Sequence, residues 1–373
     1  MPANLKPLTT MRFVAAAWVV AYLYWEDLTA APMPGLVGKG YLGVELFFVL
    51  SGFILSHVYL ERFGQRRFSY RSFLWARLAR VYPLHLATLG GLVLLVGAAA
   101  AAGLNASDKV AIWSSLPGQV VLAQAWGLTP LGGWNHPSWS ISAEWFAYLL
   151  FPLFAWVAWA LRDRPRLAVA GALVLLVAMT LGFQRAAGFP LSSATIAWGA
   201  VRIIPSFAYG CAIYLLWRAG KDFTPSMAGG GAAAFALGVA LSSILGAPDV
   251  AIVVLFGGLI FSLAALSASG SRLLSSRVEV YLGEVSFAVY MVCVPWKIVF
   301  VNVAQKALHL PDGPMPWTLW MVMLMGVTPI AMIAHHLVER PARNAMRAWE
   351  GAGFRLGPKS RGRTETEALI PQG

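Results

Sequence analysis

The pattern of hydrophobic and polar positions along the chain is a succession of long apolar segments separated by shorter polar ones. A helix needs about 20 mainly apolar residues to cross the hydrocarbon core of a bilayer. Apolar windows close to this length fall near residues 10–27, 41–60, 81–103, 138–160, 167–184, 196–217, 227–246, 249–268, 281–302 and 316–338. The pattern therefore predicts an all-α fold, a polytopic transmembrane helical bundle of about ten spans.

The composition agrees with a membrane protein and excludes an ordinary soluble enzyme. Hydrophobic residues make up 58% of the chain and charged residues only 12%, whereas soluble domains carry about 25% charged residues. The two cysteines, Cys211 and Cys293, both lie in apolar segments. With so few cysteines in such places, neither a structural disulfide nor a zinc site is expected, and no metal is predicted.

The net charge of +12 is explained by membrane topology rather than by nucleic acid binding. Lysine and arginine concentrate in loops on the cytoplasmic side of membrane proteins. Most of the 28 basic residues fall on one side of the predicted spans, including six arginines between Arg62 and Arg80. The opposite side has only Lys39, Lys109, Arg185 and Lys306, and Arg202 and Lys297 lie inside spans. Both termini are therefore predicted to be cytoplasmic.

The organisation along the chain indicates one membrane domain followed by a tail. Residues 1–345 contain all the predicted spans and form the expected transmembrane domain. Residues 346–373 are basic and increasingly polar, with glycine and proline, which is typical of a disordered segment. We therefore expect a disordered cytoplasmic tail there.

Two carboxylates interrupt otherwise apolar spans. Glu45 lies in the apolar run Gly40–Leu55, and a buried carboxylate is costly unless it is paired or protonated. A polar partner from another helix or a water-filled cavity is expected, and ionisable residues inside a membrane usually mark a functional site. Glu144 follows Ser140 by four residues, so both occupy one helix face, where Glu144 could hold a substrate hydroxyl or orient a base.

The two basic residues inside spans are expected to pair with carboxylates. Arg202 and Lys297 could pair with Glu45, Glu144 or Glu284, and the sequence does not choose among these partners. Other basic residues lie at the predicted cytoplasmic ends of the spans.

Arg77 and Arg80 are three residues apart on one helix face, and paired guanidinium groups can clamp phosphates through several N–H donors. Topology alone is the alternative explanation. Arg12, at the start of the first span, either reaches the interface with its long side chain or binds an anionic donor.

Histidines supply further candidates. His136 precedes Pro137, which fits the first turn of a helix, so His136 could be an external base or a loop residue without a role. His85 enters the third span and is expected to be a core histidine.

Several segments in a fixed order resemble the acyltransferase 3 family. They are LTTMRFVAAAWVV, GYLGVELFFVLSGFIL, RLARVYP, PSWSISAEWFAYLLFP, YLGEVSFAVYMVCVP and HHLVERPAR, which together span roughly residues 8–343. The resemblance implies an integral membrane protein that transfers an acyl group, often acetyl, from cytoplasmic acyl-CoA. The acceptors would be hydroxyls of surface polysaccharides, lipids or small molecules.

The resemblance also assigns expected roles. It implies that Arg12, Arg77 and Arg80 bind the donor and that Glu45 and Glu144 are acidic site positions. The catalytic candidates are therefore Glu144, Glu45 and His136. The chain departs from the family at Leu23 and Cys293, where the resemblance implies histidines. The resemblance implies that the histidine at position 23 is the general base. Leucine cannot accept a proton, so another group must supply general-base catalysis, which contributes a factor of about 10²–10⁴ to the rate. Candidate replacements are Glu26, Asp27, His57 and His136.

We therefore expect a membrane-bound O-acyltransferase of the bacterial inner membrane. Acyl-CoA, in particular acetyl-CoA, would be a co-substrate rather than a tightly bound cofactor. The acceptor would be a glycan or lipid presented in the membrane. Two alternatives remain at this point: a catalytically impaired family member that binds an acylated ligand, and a transporter.

Overall fold

In the part of the chain that the structure describes, the regular secondary structure is helical. The computed structural model describes residues 5–102, 111–128, 132–220, 223–311 and 313–353, without the side chains of 351–353. In chain order the α-helices of these residues are α1 (Lys6–Tyr24), α2 (Gly35–Gly38), α3 (Gly43–Gly64), α4 (Tyr70–Ala101), α5 (Leu116–Val120), α6 (Trp139–Leu149), α7 (Phe151–Ala160), α8 (Pro165–Ala187), α9 (Gly199–Ala219), α10 (Pro225–Ile244), α11 (Asp249–Ala268), α12 (Arg277–Leu308), α13 (Trp317–Ala334) and α14 (Arg340–Gly353).

The predicted bundle of membrane-spanning helices is confirmed. Within the described ranges, 9 helical segments are long and apolar enough to cross a membrane, and the bent pair His136–Leu149 and Phe151–Ala160 would make a tenth. Each predicted apolar window corresponds to one of these segments. The cytoplasmic location of the termini stays a prediction, because helix geometry alone does not distinguish the two sides of a bilayer.

Two helices differ from the apolar pattern in ways that bear on the site. The third predicted span begins at residue 81, but α4 already begins at Tyr70, where Ser69 caps it by accepting a hydrogen bond from the Ser72 backbone N–H. The arginines of its first turns lower the local hydropathy and conceal the true start. The fourth predicted span is broken by a bend of 56° between α6 and α7. Pro152, in the first turn of α7, lacks the backbone N–H that would continue the α6 ladder.

The C-terminal end is more ordered than the sequence indicates. The last span continues from α13 through a π-helix at His335–Glu339 into α14, which ends at Gly353. Residues 346–353 of the predicted tail are therefore helical, and the division into a membrane domain and a tail stays a prediction. Residues 354–373 lie outside the described part of the chain, and their disorder stays a prediction.

Helices α3 and α9 pack closely in the centre of the bundle. A Cβ atom at Gly52 would collide with the carbonyl oxygen of Phe207, and one at Gly210 would collide with that of Val49. Small residues allow membrane helices to approach until their backbones touch. These reciprocal glycines therefore set the distance between α3 and α9.

We predict that Gly210→Ala destabilises the protein by about 1–3 kcal/mol, since an added methyl group in a closely packed contact forces the helices apart. Thermal unfolding of the purified protein in detergent measures the effect. Gly182→Ala in α8 is the matched control, because a Cβ there meets no atom within 4 Å. Equal melting temperatures for the two variants would contradict the close packing.

Candidate functional site

A cavity of about 430 Å³ lies among α1, α3, α4, α6 and α12. Its walls include the start of α1, α3 from Val44 to Arg62 and the first half of α4, and its arginines lie near the start of α1, the end of α3 and the early turns of α4. By the distribution of basic residues, this is the side predicted to be cytoplasmic. Apolar side chains form much of the wall, and its polar lining consists of Thr9, Arg12, Ser51, His57, Arg62, Arg77, Arg80, Ser140, Glu144, Tyr148 and Tyr290.

The three predicted donor-binding arginines and one predicted catalytic acid come together in this cavity. Arg12 is supplied by α1, Arg77 and Arg80 by α4, and Glu144 by α6. They are far apart in the chain, so only the packing of the helices brings them into contact with one space. The cavity thus joins the predicted donor-binding arginines to one of the predicted catalytic acids.

Glu144 is held in a defined orientation. Its Oε1 accepts a hydrogen bond of 2.8 Å from Ser51 Oγ of α3 and another from the Tyr148 hydroxyl, one turn further along α6. One turn earlier, Ser140 Oγ donates to the Tyr290 hydroxyl (2.8 Å), which donates to the Pro137 carbonyl oxygen (2.9 Å). This face of α6 therefore carries hydroxyl and carboxylate groups whose positions are set by hydrogen bonds.

The arginines give the cavity an excess of positive charge. Among the described residues, no carboxylate lies within 4.0 Å of a side-chain nitrogen of Arg12, Arg77 or Arg80. The Arg77 guanidinium lies 5.8 Å from the centroid of the Tyr59 ring, and its buried Nε has no hydrogen-bond partner. Guanidinium groups that face one space without carboxylate partners favour an anionic ligand with several acceptor oxygens.

Glu45 does not line the cavity. It is only 3% exposed, and its Oε1 accepts a hydrogen bond of 2.6 Å from Arg202 Nε of α9. Ser206 Oγ donates to the other carboxylate oxygen. The expected polar partner from another helix is thus present, but it closes Glu45 into a buried ion pair. The structure does not bring this catalytic candidate to the other site residues.

The second intramembrane cation has a partner outside the three proposed acids. Lys297 Nζ lies 2.6 Å from an Asp27 carboxylate oxygen and donates to the Leu23 carbonyl oxygen at 3.1 Å. The expectation that Lys297 pairs with Glu45, Glu144 or Glu284 is therefore wrong. Asp27 lies in the 3₁₀ turn that follows α1, so the ion pair links this end of α1 to α12.

The two positions that depart from the family pattern lie next to this contact and outside the cavity lining. Leu23 packs against the hydrophobic core, and Cys293 is fully buried. The Cys293 thiol donates to the Tyr290 carbonyl oxygen at 3.1 Å, and the Cys293 carbonyl oxygen accepts from the Tyr24 hydroxyl. In this chain, positions 23 and 293 belong to the packing of α1 against α12.

The histidines separate into three environments. His136 lies in a short 3₁₀ turn before α6, is exposed and does not line the cavity. His85 is buried with Nε2 2.8 Å from the Gln119 carbonyl oxygen, as expected of a core histidine. His57 of α3 lines the cavity, and of the four candidate replacements for the family base it alone does so within the described lining.

Some site residues were not selected from the sequence. Ser51 lies in the same apolar run as Glu45. Tyr148 is four residues after Glu144, a spacing that places it on the same helix face. Tyr290 carries no such local signal, because its place in the cavity depends on the packing of α12. Within the described residues, no three His, Cys, Asp or Glu side chains form a group that could hold a metal ion.

Comparison with known proteins decides the family. A family model described as an acyltransferase domain matches residues 8–336. The chain belongs to the acyltransferase 3 family. It is 28% identical over 371 residues to acyltransferase MdmB of Streptomyces mycarofaciens, with 91% of each chain covered. It is 45% identical over 51 residues to Protein 2 in picA locus of Rhizobium radiobacter, which covers 14% of this chain and 27% of that protein. No solved structure matches the chain.

Membership of the acyltransferase 3 family fits the origin of the cavity residues. Of the segments that carry the family resemblance, the first five each contribute a side chain to the lining: Arg12, Ser51, Arg77 with Arg80, Glu144, and Tyr290. The sixth segment contains the π-helix that joins α13 to α14. The chain is a multi-pass membrane protein, and five of its six family segments converge on one cavity.

We predict that Glu45→Gln lowers the free energy of unfolding by about 3–5 kcal/mol, because it leaves Arg202 buried without its counter-charge. The double variant Glu45→Gln with Arg202→Met should recover much of this loss. Thermal unfolding in detergent measures both effects.

The matched control is Glu61→Gln on the same helix, because the Glu61–Arg218 pair is far more exposed and such pairs contribute about 0–1 kcal/mol. A Glu45→Gln protein as stable as its parent but without acyl transfer would instead assign Glu45 to catalysis.

Proposed function

We propose that the protein is a membrane-bound O-acyltransferase that moves an acyl group, in particular acetyl, from acyl-CoA to a hydroxyl of a surface glycan or lipid. Its location would be the bacterial inner membrane. The observation that carries the proposal is the convergence of Arg12, Arg77, Arg80 and Glu144 on one cavity. Family membership and the similarity to an acyltransferase support the reaction class.

The arginine-lined end of the cavity suits the phosphates of the donor. Guanidinium groups bind phosphate oxygens in a bidentate manner, and Arg12, Arg77 and Arg80 all face the cavity without carboxylate partners. This end is on the predicted cytoplasmic side, where acyl-CoA is available. The donor would enter there with its thioester directed toward α6.

The reaction needs a group that takes a proton from the acceptor hydroxyl. That hydroxyl oxygen attacks the thioester carbonyl carbon, the new C–O bond forms, the C–S bond breaks, and the proton finally resides on the CoA sulfur. Glu144 is the first candidate base. Ser51 and Tyr148 both donate hydrogen bonds to its Oε1, so its Oε2 is the oxygen that would accept the proton. His57, in the same cavity, is the second candidate.

The departure at Leu23 does not remove acid–base groups from the cavity. Leu23 and Cys293 are absent from its described lining, whereas Glu144 and His57 are part of it. This arrangement supports an active enzyme over a family member that only binds an acylated ligand. A transporter has no comparable support among the side chains of the cavity.

We predict that Glu144→Gln slows acyl transfer by about 10²–10⁴, the usual contribution of a general base, while acyl-CoA binding persists. The measurement is release of free CoA thiol by the purified protein in nanodiscs with a hydroxyl acceptor. Tyr148→Phe is the control, since it removes one hydrogen bond to the carboxylate and keeps the base. A parent-like rate for Glu144→Gln together with an inactive His57→Gln would move the base to His57. A parent that neither binds CoA nor releases it would refute the proposed reaction.

We predict that Arg80→Gln weakens acyl-CoA binding by about 10- to 100-fold, because a charge-assisted hydrogen bond contributes about 1.5–3 kcal/mol. Isothermal titration of the detergent-solubilised protein with CoA measures this change. Arg185→Gln has the same change in charge and is exposed at the end of α8 away from the cavity, so its affinity should equal that of the parent. Equal affinities of all three proteins would show that the arginines serve only topology.

A further inference from the structure

Helix α14 places further arginines beside the arginine-lined end of the cavity. We infer that Arg343 and Arg347 of α14, together with Arg77 of α4, form a phosphate-binding subsite distinct from the phosphate contacts of Arg12 and Arg80. The inference rests on the proposed function in one respect: acyl-CoA, the proposed donor, is one source of the phosphate. The contacts between α14 and α4 support the subsite independently of that function.

Two tryptophans hold α14 against the start of α4. Trp75 Nε1 donates a hydrogen bond of 2.8 Å to the Met346 carbonyl oxygen, and the Trp75 and Trp349 rings meet edge to face with centroids 6.0 Å apart. Trp75 is two residues before Arg77. The contact therefore fixes the position of α14 next to the turns of α4 that carry the cavity arginines.

The arginines of α14 lie toward those of α4. Arg343 and Arg347 are four residues apart and share one helix face, and both are half-buried. Arg343 lies close enough to Arg80, and Arg347 to Arg77 and Arg80, for their like charges to repel each other. Arg340, on the same helix, is exposed. Arginines that served only membrane topology would extend toward solvent as Arg340 does, whereas these two are half-buried on the helix that contacts the start of α4.

The charge of this cluster is only partly compensated. Glu339 of the π-helix is buried, lies 3.4 Å from an Arg343 guanidinium nitrogen and also contacts His335 Nδ1 at 2.8 Å. No carboxylate of the described residues lies within 4.0 Å of a guanidinium nitrogen of Arg347 or Arg77. Like charges held together at partial burial repel more strongly than in water. A bound polyanion would relieve this repulsion.

A phosphate monoester is the chemistry that fits best. It carries about −1.5 to −2 charges at pH 7 and three acceptor oxygens, and arginine presents a planar fork that matches them. Two sources share this chemistry. One is the 3′-phosphate of CoA, separate from its diphosphate, and the other is the phosphomonoester headgroup of phosphatidic acid at the membrane surface.

The test compares CoA with 3′-dephospho-CoA, which lacks only that monoester. Binding of both is measured by titration to the full chain in detergent for the parent, Arg347→Gln and Arg340→Gln. If the donor supplies the phosphate, Arg347→Gln weakens CoA binding about 10-fold, equivalent to about 1.4 kcal/mol, and leaves dephospho-CoA binding unchanged. Arg340→Gln should change neither, because the Arg340 side chain is exposed and is not among the three arginines of the inferred subsite.

A lipid source gives a different result in a second measurement. Native mass spectrometry of the three proteins with phosphatidic acid or phosphatidylcholine would show phosphatidic acid bound to the parent and Arg340→Gln but lost from Arg347→Gln. Either this result or the CoA result supports the subsite. Equal losses with CoA and dephospho-CoA, together with unchanged lipid binding, would overturn it.

Two controls keep the test decisive. Arg347→Lys retains the charge but not the guanidinium fork, so its affinity for CoA should be lower than that of the parent. This variant can be titrated even if Arg347→Gln is too unstable. Failure of the parent to bind either form of CoA would refute the proposed donor, whereas the lipid measurement would still judge the subsite.

Discussion

Every charged side chain inside the apolar bundle must have either a partner or a polar cavity, because lipid offers no water to solvate it. This constraint separates two carboxylates that look alike in the sequence. Glu45 is enclosed with Arg202 and Ser206 between α3 and α9. Glu144 faces the cavity and is held by hydroxyl groups rather than by a cation. The first arrangement neutralises a charge within the bundle, and the second leaves a carboxylate available for chemistry.

Helix packing places both carboxylates. The close contact of α3 with α9 at Gly52 and Gly210 brings Arg202 within reach of Glu45. The same α3 supplies Ser51 to Glu144 from its cavity side. The bend between α6 and α7 lets α6 end beside the cavity while α7 continues in another direction. A single helix, α3, therefore carries the carboxylate of the buried ion pair and forms one wall of the site.

The proposed donor end depends on helices that are longer than the membrane is thick. Helix α4 has 32 residues, which is about 48 Å at 1.5 Å per residue, whereas the hydrocarbon core is about 30 Å thick. The last span likewise continues into α14. The ends of these helices extend beyond the apolar core, where arginines are solvated at lower cost. This explains how several guanidinium groups can cluster beside a cavity that reaches into the bundle.

Local composition determined the span count, the membrane class and the short list of ionisable residues, because hydropathy and charge are properties of each segment on its own. The family motifs likewise follow from the order of residues, and they pointed to Arg12, Arg77, Arg80 and Glu144. Only the tertiary structure decided which charges pair with each other. It assigned Arg202 to Glu45 and Lys297 to Asp27, and it separated His57 from His136. Such pairings join helices far apart in the chain, and no local pattern encodes the rotation and contact distance of one helix against another.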